Sequence, residues 1–353
     1  MSDMFGEKLK IALFGESHGA GVGAVISGLP AGFEIDFEAI RRDMARRAPG
    51  NSDLATPRKE ADEAEVLSGV FNGRTTGTAL AILIRNTNTR SGDYQPELPR
   101  PGHADYTAQV KYGGYQDYRG GGHFSARVTA PLVWAGSLAK QILAQKGISL
   151  AAHIARIGAV EDTRFTQPDA AMLEALSSLP FPVLNPDVQQ PMRDEVLAAK
   201  AALDSVGGII ECAAVGVPAG LGDPFFDSME SRLSHLLFSV PAIKGVEFGE
   251  GFGLASMRGS AANDPFCMEN GRVVTATNHN GGINGGITNG MPLVFRVACK
   301  PTPSIAQTQQ TVNLQTGENA ELSIHGRHDP CIVPRAVPVV EACTALCLLD
   351  ALL

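Results

Sequence analysis

The sequence predicts an α+β fold, and three observations support this prediction. Segments with helical periodicity and segments typical of strands both occur, but they do not follow the regular β-α-β order of a parallel sheet. Glycine supplies 39 of the 353 residues and is concentrated in clusters that separate these segments. The hydrophobic fraction of 44% and the charged fraction of 19% exclude a disordered chain, a coiled coil and a collagen-like repeat. No linker-like stretch divides the chain, so we expect a single domain over residues 1–353.

Apolar runs bounded by turn residues predict the strands, and amphipathic periodicity predicts the helices. The predicted strands are, in chain order, 8–14, 66–71, 78–85, 209–217, 272–277 and 292–299. The predicted helices are 36–47, 125–145, 193–205, 227–238 and 335–352. The glycine clusters at 15–28, 113–122, 245–253 and 281–290 predict loops.

Specific residues mark several of these boundaries. Asp36 stands at the N-cap of the first helix. Asn72-Gly73 lies between the second and third strands and is typical of a β-hairpin, although the connection is longer than two residues. Ser125 can cap the second helix, in which Pro131 lies early enough to be tolerated or to kink the helix. The apolar stretch 337–353 is interrupted and too short to span a bilayer, so we expect a buried or subunit-interface helix.

The formal net charge of -8 is unevenly distributed. Residues 141–270 carry 8 basic and 16 acidic side chains, whereas the segments on either side are neutral. A basic patch lies at 41–60, and arginine outnumbers lysine by 20 to 9. Guanidinium groups bind phosphate and carboxylate in a bidentate manner, so this bias favours an anionic small ligand, with ordinary surface charge as the alternative. The acidic balance, one Trp and five Tyr argue against a nucleic-acid partner.

Cysteine spacing and the amino-terminal segment indicate the compartment. The six cysteines form no C-x-x-C pair and no zinc-type spacing, so we expect reduced thiols and no metal site. Residues 1–10 contain no apolar run of signal-peptide length and lack the composition of a transit peptide. We therefore expect a cytoplasmic protein with no membrane partner.

Two glycine-rich motifs allow more than one interpretation. The segment 15–19 places Ser17 beside His18, which suggests a nucleophile with its base or a glycine turn with a surface polar pair. It does not have the Gly-x-Ser-x-Gly pattern of a hydrolase elbow, and the glycines at 21–28 do not have the dinucleotide-binding pattern. The segment 278–286 can bring backbone N–H groups to a phosphate or a flavin ring, or it can be a plain loop.

Four further motifs combine cations, histidines and hydroxyls. Segment 100–105 places an arginine, a histidine and an acid around a proline-glycine turn, and 119–127 places glycines directly before a predicted helix, where N–H groups favour an anion. Segment 300–304 adds a lysine and two hydroxyls. In 327–330, cationic or titratable neighbours would hold Asp329 ionised and ready to act as a base. Together the motifs suggest a polyanionic ligand and a phosphorylated planar cofactor, although each histidine alone could be an ordinary loop residue.

These motifs resemble the chorismate synthase family, in the family's order, from about residue 5 to residue 349. The motifs are Gly15-Glu16-Ser17-His18-Gly19, Arg100-Pro101-Gly102-His103-Ala104-Asp105-Tyr106, Tyr118-Arg119-Gly120-Gly121-Gly122, Ser125-Ala126-Arg127, Gly245-Val246-Glu247, Asn278-His279, Lys300-Pro301-Thr302 and Arg327-His328-Asp329-Pro330-Cys331. The resemblance implies a β-α-β sandwich and a homo-oligomer, a tetramer in most members. It also implies anti-1,4-elimination of phosphate from 5-enolpyruvylshikimate 3-phosphate to give chorismate, with reduced FMN as cofactor and NADPH as an external reductant.

By this resemblance, His18 protonates the departing phosphate with help from Ser17, His103 protonates the reduced flavin, and Asp329 and Ser125 relay a proton. Substrate-binding arginines are expected at Arg47, Arg58, Arg100, Arg127 and Arg327, and Arg47 is also expected to contact NADP. FMN contacts are expected at His123, Phe124, Ser125, Pro241, Ala242, Gly285, Lys300, Pro301, Thr302, Pro303, Ser304 and Arg327.

The chain departs from the commoner family pattern at several positions. His123 and Phe124 stand where arginine and serine are usual, Val128 where glutamate is usual, and Asp53 where an arginine is usual; Pro241 and Pro303 replace asparagine and serine. These departures alter single cofactor contacts more than the reaction. A flavin reductase and an FMN-binding protein without catalysis remain as alternatives.

Overall fold

A computed structural model describes residues 3–50, 54, 62–87, 95–324 and 328–353. Its strands are β1 (Met4–Phe5), β2 (Lys10–Gly15), β3 (Gly21–Ser27), β4 (Ala64–Ser68), β5 (Val70–Phe71), β6 (Arg74–Thr75), β7 (Leu80–Arg85), β8 (Ser149–Ile157), β9 (Val160–Glu161), β10 (Gly208–Val215), β11 (Ile243–Phe248), β12 (Phe266–Glu269), β13 (Arg272–Thr275), β14 (Ile283–Asn284), β15 (Ile287–Thr288), β16 (Leu293–Cys299), β17 (Gln309–Asn313) and β18 (Glu318–Leu322). Its helices are α1 (Phe37–Arg47), α2 (Asp105–Tyr112), α3 (Thr129–Gln145), α4 (Ala170–Ser177), α5 (Gln189–Ala201), α6 (Met229–Ser239), α7 (Gly259–Ala262) and α8 (Val333–Leu352).

The described residues form two antiparallel sheets of five strands with helices between them. The first sheet has the order β1-β2-β3-β7-β4 and the second β11-β16-β10-β8-β9. Helix α3 packs on α8 and contacts β3 and β7 of the first sheet and β8 of the second. This arrangement confirms the predicted β-α-β sandwich of the α+β class.

Helix α8 explains why the carboxyl-terminal segment is so apolar. Residues 336–350 are all buried, because the helix packs against α1, α3 and α6 on its sides and against β8 and β10 of the second sheet. The prediction of a buried helix is therefore confirmed. Because the helix is enclosed by its own chain, the structure does not favour the alternative that it forms a subunit interface. Among the residues placed by the structure, we find no helix with the length and apolar character needed to cross a membrane.

Several predicted boundaries are confirmed. The Asp36 side chain accepts a hydrogen bond from the backbone N–H of Ala39 and caps α1. Asn72-Gly73 forms the turn between β5 and β6, a small hairpin that interrupts the connection between the paired strands β4 and β7. The loop prediction for 15–28 was wrong from Gly21 to Ser27, because these residues form β3, a central strand of the first sheet. Within 245–253 it was wrong as far as Phe248, which ends β11. In β3, glycine allows close packing between strands: an added Cβ at Gly23 would lie 2.3 Å from the Phe14 ring.

The two ends of the described chain are joined through one carboxylate. The buried side chain of Asp350, in α8, accepts hydrogen bonds from the backbone N–H groups of Glu7, Lys8 and Leu9, the last at 2.7 Å. Arg232 of α6 binds the same carboxylate. The segment between β1 and β2 is therefore held against the central helices.

Candidate functional site

A cavity of about 700 Å³ lies where the amino-terminal ends of α3 and α8 meet the edges of both sheets. Its wall also includes parts of β1, β2 and β11, the end of α6, and the loops around residues 100–104, 120–128, 300–304 and 328–332. The volume falls within the range of about 300–1,000 Å³ that is typical of small-molecule sites. Helix amino termini carry a partial positive charge, so this position favours an anionic ligand.

Most of the residues predicted from separate motifs line this one cavity. They are Ser17, His18, Arg47, Arg100, His103, His123, Phe124, Ser125, Arg127, Pro241, Ala242, Lys300, Thr302, Pro303, Ser304 and Asp329. Gly285 and Pro301 do not line it; Gly285 lies in the turn between β14 and β15. Arg58 and Arg327 lie outside the described residues, as does Asp53.

Ser17 and His18 meet the glycine loop that begins at Arg119. The Ser17 hydroxyl and His18 Nδ1 are 3.0 Å apart, and Ser17 is buried. Gly120 adopts a φ of +62°, and a Cβ built on it would lie 2.1 Å from the His18 ring and 2.5 Å from Ser17 Oγ. Only glycine therefore lets this loop approach the pair so closely. The adjacent serine and histidine do interact, which the sequence alone left open.

His103 belongs to a compact group with Arg100 and Asp105. Arg100 donates from Nε and Nη2 to the two oxygens of Asp105 at 2.7 and 2.8 Å, and His103 Nδ1 lies 2.6 Å from Asp105 Oδ1. Burial opposes the ionisation of Asp105, but the hydrogen bonds from Arg100 and His103 outweigh it and hold the pKa of Asp105 well below its usual range. Arg100 also donates to Ser304 Oγ at 3.2 Å, which joins this group to segment 300–304.

Two buried arginines share one carboxylate. Asp62, whose side chain is buried, binds Arg127 Nη1 through one oxygen and lies 3.5 Å from Arg47 Nη1 through the other. Arg127 also donates from Nε to Asn86 Oδ1 at 3.0 Å. Since α1 supplies Arg47 and the short 3-10 helix before α3 supplies Arg127, Asp62 fixes two guanidinium groups from different elements at the cavity wall.

Asp329 pairs with an arginine that the sequence analysis did not select. Arg335 Nη1 binds Asp329 Oδ2, and Arg335 Nε donates to the Arg47 carbonyl oxygen at 2.9 Å. Both Arg335 and Asp329 line the cavity. Their six-residue separation spans the start of α8, so a motif limited to 327–331 could not reveal the pair.

The opposite wall is formed by Ala242 and Lys300. The Ala242 carbonyl accepts a hydrogen bond from the Lys300 backbone N–H at 2.9 Å, and Ala242 has a φ of +75°, which is unfavourable for a residue with a Cβ. Lys300 donates from Nζ to the Gly102 carbonyl. Burial, together with the charge of Lys244, lowers the pKa of Lys300. The strained backbone of Ala242 and the partly buried cation of Lys300 lie together, and both features are typical of a ligand site.

Ser125 begins the helical segment, and the glycines before it do not. Its Oγ accepts from the Arg127 backbone N–H at 3.3 Å and caps a short 3-10 helix, Ala126–Val128, that leads into α3. Gly121 N–H donates to the Tyr118 carbonyl and α3 begins only at Thr129, so the expectation that these glycines lie directly at the amino terminus of α3 was wrong. The glycines instead admit His18 and His103, since a Cβ on Gly121 would lie 3.0 Å from the His103 ring.

Several cavity residues could not be found from motifs. Asp3, Met4 and Phe5 reach the cavity because β1 pairs with β2 at the sheet edge. His235 of α6 reaches it from the other side, and its ring lies 5.8 Å from that of Phe5. These residues are far apart in the sequence and belong to no common pattern.

A second, smaller cavity of about 60 Å³ lies behind the wall. Asp105 borders it and His103 does not, whereas His103 borders the large cavity and Asp105 does not. Arg100 and Phe124 border both.

Positive charge predominates among the described residues of the large cavity. The charged side chains of its wall are the cations Arg47, Arg100, Arg127, Lys300 and Arg335 and the acids Asp3 and Asp329. Five histidines also line the cavity: His18, His103, His123, His235 and His328. The arrangement can therefore bind a ligand with several negative charges and transfer protons to it.

Comparisons with known proteins show which proteins this chain is similar to. The family model described as chorismate synthase matches residues 9–353. The chorismate synthase of Thermococcus kodakarensis is 50% identical over 352 residues, with 99% of this chain and 97% of that protein covered. The chorismate synthase of Methanosarcina mazei is 46% identical over 353 residues, covering 99% and 96% of the two chains. A solved structure titled "Crystal Structure of Chorismate Synthase" matches with a TM-score of 0.77 and 30% identity, over 98% of this chain and 92% of that one.

Proposed function

Because the chain belongs to the chorismate synthase family, whose members are lyases that convert 5-enolpyruvylshikimate 3-phosphate to chorismate in aromatic amino acid biosynthesis, we propose that the large cavity is its active site. The observation that carries this proposal is that one cavity is lined by Ser17, His18, His103 and Asp329 together with the arginines Arg47, Arg100 and Arg127. These residues come from α1 and from four motifs that are widely separated in the sequence.

The cations are suited to this substrate, which has two carboxylates and one phosphate. In the proposal Arg47, Arg100 and Arg127 bind these anionic groups, with Arg327 and Arg58 as further candidates. Asp62 and Asp105 hold three of the guanidinium groups in place before the substrate arrives. Groups that are already oriented lose less entropy on binding, so this arrangement supports both affinity and correct placement of the ring.

The residues of the cavity also fit reduced FMN, which we propose as the cofactor. Lys300, Thr302 and Ser304 offer a cation and hydroxyls to a phosphate, and Phe124 offers an aromatic face. Gly120 and Gly121 let the backbone of this wall lie directly against His18 and His103. When bound, reduced FMN supplies electron density to the breaking bond with no net change in its oxidation state. His123, Pro241, Ala242 and Pro303 complete the wall on this side.

The elimination breaks the C–O bond to phosphate and one ring C–H bond and forms a ring C=C bond. We assign to His18 the proton that neutralises the departing phosphate: Nδ1 lies toward Ser17 Oγ, so Nε2 is the nitrogen that donates. Asp329 accepts the ring proton in this scheme, with Ser125 Oγ as an intervening hydroxyl. Arg335 binds Oδ2 of Asp329 and so helps to orient this carboxylate.

The decisive experiment incubates the purified protein anaerobically with photoreduced FMN and the substrate and measures phosphate and chorismate. We expect both products in equal amounts, and we expect His18→Gln to lower kcat by about a hundredfold or more. No phosphate above an enzyme-free control would refute the proposal. NADPH oxidation without phosphate release would favour the flavin reductase, and FMN binding without turnover would favour a non-catalytic flavoprotein. Full activity of His18→Gln would remove the assigned role of that residue alone.

We further propose that the protein is a single domain that assembles as a cytoplasmic homotetramer and receives electrons from NADPH, with Arg47 as a contact. Exposed aromatic rings support the assembly: Phe225, Phe226 and Phe252 are each more than 85% exposed. Light scattering should give about four times the chain mass of 37.1 kDa. A monomer in this measurement would contradict the assembly without affecting the reaction.

A further inference from the structure

In the group formed by Arg100, His103 and Asp105, the chemistry of each side chain determines which atom donates each hydrogen bond. Arg100 Nη2 lies 3.1 Å from His103 Nδ1, and Asp105 Oδ1 lies 2.6 Å from the same nitrogen. Guanidinium can only donate and an ionised carboxylate can only accept. Asp105 is ionised, since two arginine N–H groups stabilise the anion against its burial. His103 Nδ1 cannot both accept from Arg100 and donate to Asp105. The contact with Asp105 is the shorter one, and Arg100 Nη2 already donates to Asp105 Oδ1, so the hydrogen lies on Nδ1 and is donated to Asp105.

The two cavities place the two sides of this ring in different surroundings. Asp105, on the Nδ1 side, borders the small cavity and not the large one, whereas the His103 ring borders the large cavity. The Nε2 edge lies against Gly121, where a Cβ would come within 3.1 Å of Nε2. Glycine at this position therefore leaves room for the Nε2 edge of the ring. A hydrogen held on Nδ1 makes Nε2 the nitrogen that gains and loses a proton at the large cavity.

The charged and hydroxyl groups around His103 come from three segments of the chain. They are Arg100 and Asp105 on the same turn and helix, Lys300 and Ser304 from segment 300–304, and Asp117 across the small cavity. Arg100 binds Asp105, and Lys300 binds the Gly102 carbonyl. The contact that decides the hydrogen position on His103 is therefore the one with Asp105.

We propose that Asp105 is a positioning residue that fixes the ring of His103 with its hydrogen on Nδ1, so that Nε2 exchanges the proton used in the large cavity. The inference rests on the proposed function of that cavity, but the position of the hydrogen can be measured without turnover. The hydrogen bond that a histidine ring makes sets which of its nitrogens carries the hydrogen, so the effect belongs to the fold.

The experiment records ¹⁵N spectra of the histidine rings in the full-length protein at a pH where the ring is neutral, with His103 assigned by its loss in His103→Gln. We expect wild-type His103 to carry its hydrogen on Nδ1 and Asp105→Asn to populate the Nε2–H form. In the assay with photoreduced FMN, Asp105→Asn should lose about tenfold to a hundredfold in kcat. Glu65→Gln, which breaks an exposed two-bond pair with Arg85, should leave the His103 signal and kcat unchanged.

A wild-type spectrum with the hydrogen on Nε2 would overturn the proposal, and this result needs no variant to fold. An Asp105→Asn protein with the shifted hydrogen but the wild-type kcat would overturn its role in the reaction. Because Asp105 also binds Arg100, a change in KM alone, with kcat and the ring spectrum intact, would assign Asp105 to substrate binding instead. If the wild-type protein makes no chorismate, the proposed function fails while the spectrum still decides the hydrogen position.

Discussion

At the scale of single residues, the site depends on groups whose identity is dictated by close contact. Gly120 lies so near His18 and Ser17 that no side chain fits, and Asp62 serves two arginines at once. Removing one partner from a buried charged group costs about 3–5 kcal/mol, because the remaining charge stays desolvated. Asp62 is therefore needed to stabilise the buried charges of Arg47 and Arg127, and these two arginines are in turn needed to bind an anionic ligand.

Gly120→Ala tests this dependence on space. The new Cβ would lie 2.1 Å from the His18 ring, so we expect the ring to move and kcat to fall by up to about a hundredfold. Gly73→Ala is the matched control: Gly73 also has a positive φ, of +75°, but a Cβ there meets no atom within 4 Å. Both variants should lose a similar free energy of unfolding from backbone strain, about 1 kcal/mol, and only the first should lose activity. Equal kcat values in the two variants would show that the approach of the loop to His18 is not needed.

The histidines, arginines and hydroxyls of the site could be predicted because they stand in short motifs with a recognisable order. Asp62 and Arg335 could not, because each is defined by a partner that lies elsewhere in the chain. Asp105 was visible in its motif, but its hydrogen bond to His103 depends on the geometry of a turn that a one-letter pattern does not contain. The predicted contacts of Arg58 and Arg327 stay predictions.

At the scale of elements, a buried charged cluster joins the three helices of the central layer. Glu341 of α8 accepts two hydrogen bonds from Arg46 of α1, at 2.7 and 2.8 Å, and one from Lys140 of α3 at 3.0 Å. It also accepts from the backbone N–H of Ala152 in β8. Arg46 directly precedes Arg47, so this cluster anchors the end of α1 that supplies an arginine to the cavity.

Glu341 should make the free energy of unfolding dependent on pH. Burial alone would raise the pKa of Glu341, but Lys140 and Arg46 outweigh it and lower the pKa from 4.5 to about 2. The stabilisation is therefore complete above the unfolded-state value and is lost as the pH falls from 4.5 to 2, with a size on the order of 3 kcal/mol. In urea unfolding at pH 7 and pH 3, Glu341→Gln should lose stability at pH 7 and show a weaker dependence on pH than the wild type. Glu38→Gln, which removes an exposed pair with Arg41, serves as the control. Identical pH dependence in the wild type and Glu341→Gln would contradict the assignment.

Elements were predicted where local signals are strong. The Asp36 cap and the Asn72-Gly73 turn act within a few residues, so their consequences could be seen in the sequence. Strand β3 was missed because glycines that indicate a loop are used there for close packing between strands. Strand β8 was missed because both of its faces are covered, so its residues do not alternate between apolar and polar.

At the scale of the whole molecule, the site is assembled from parts that are distant in the chain. The large cavity combines β1 with the first turn of α8, and Asp350 holds the segment after β1 in place. The acidic surplus of residues 141–270 contributes no charged side chain to the wall of this cavity. A net charge of -8 is thus compatible with a polyanionic ligand, because the acidic surplus and the cations of the cavity wall lie in different parts of the molecule.

Asp350→Asn should weaken this long-range connection. Three backbone N–H groups and Arg232 would lose an ionised acceptor, so we expect faster amide hydrogen exchange at Glu7, Lys8 and Leu9, by about tenfold or more. Substrate KM should rise because β1 lines the cavity. Asp169→Asn, which makes the same substitution at the local cap of α4, should leave the exchange of these amides unchanged. Unaltered protection at residues 7–9 in Asp350→Asn would contradict the role given to this carboxylate.

The Asp350 connection also sets a time order during synthesis on the ribosome. Glu7, Lys8 and Leu9 are translated long before their acceptor, which is made 341 residues after Leu9. The amino-terminal wall of the cavity must therefore wait, without its partner, until α8 has left the exit tunnel. A nascent chain would present an open site throughout elongation, and competence to hold a ligand would arise only after nearly all of the described chain has been released.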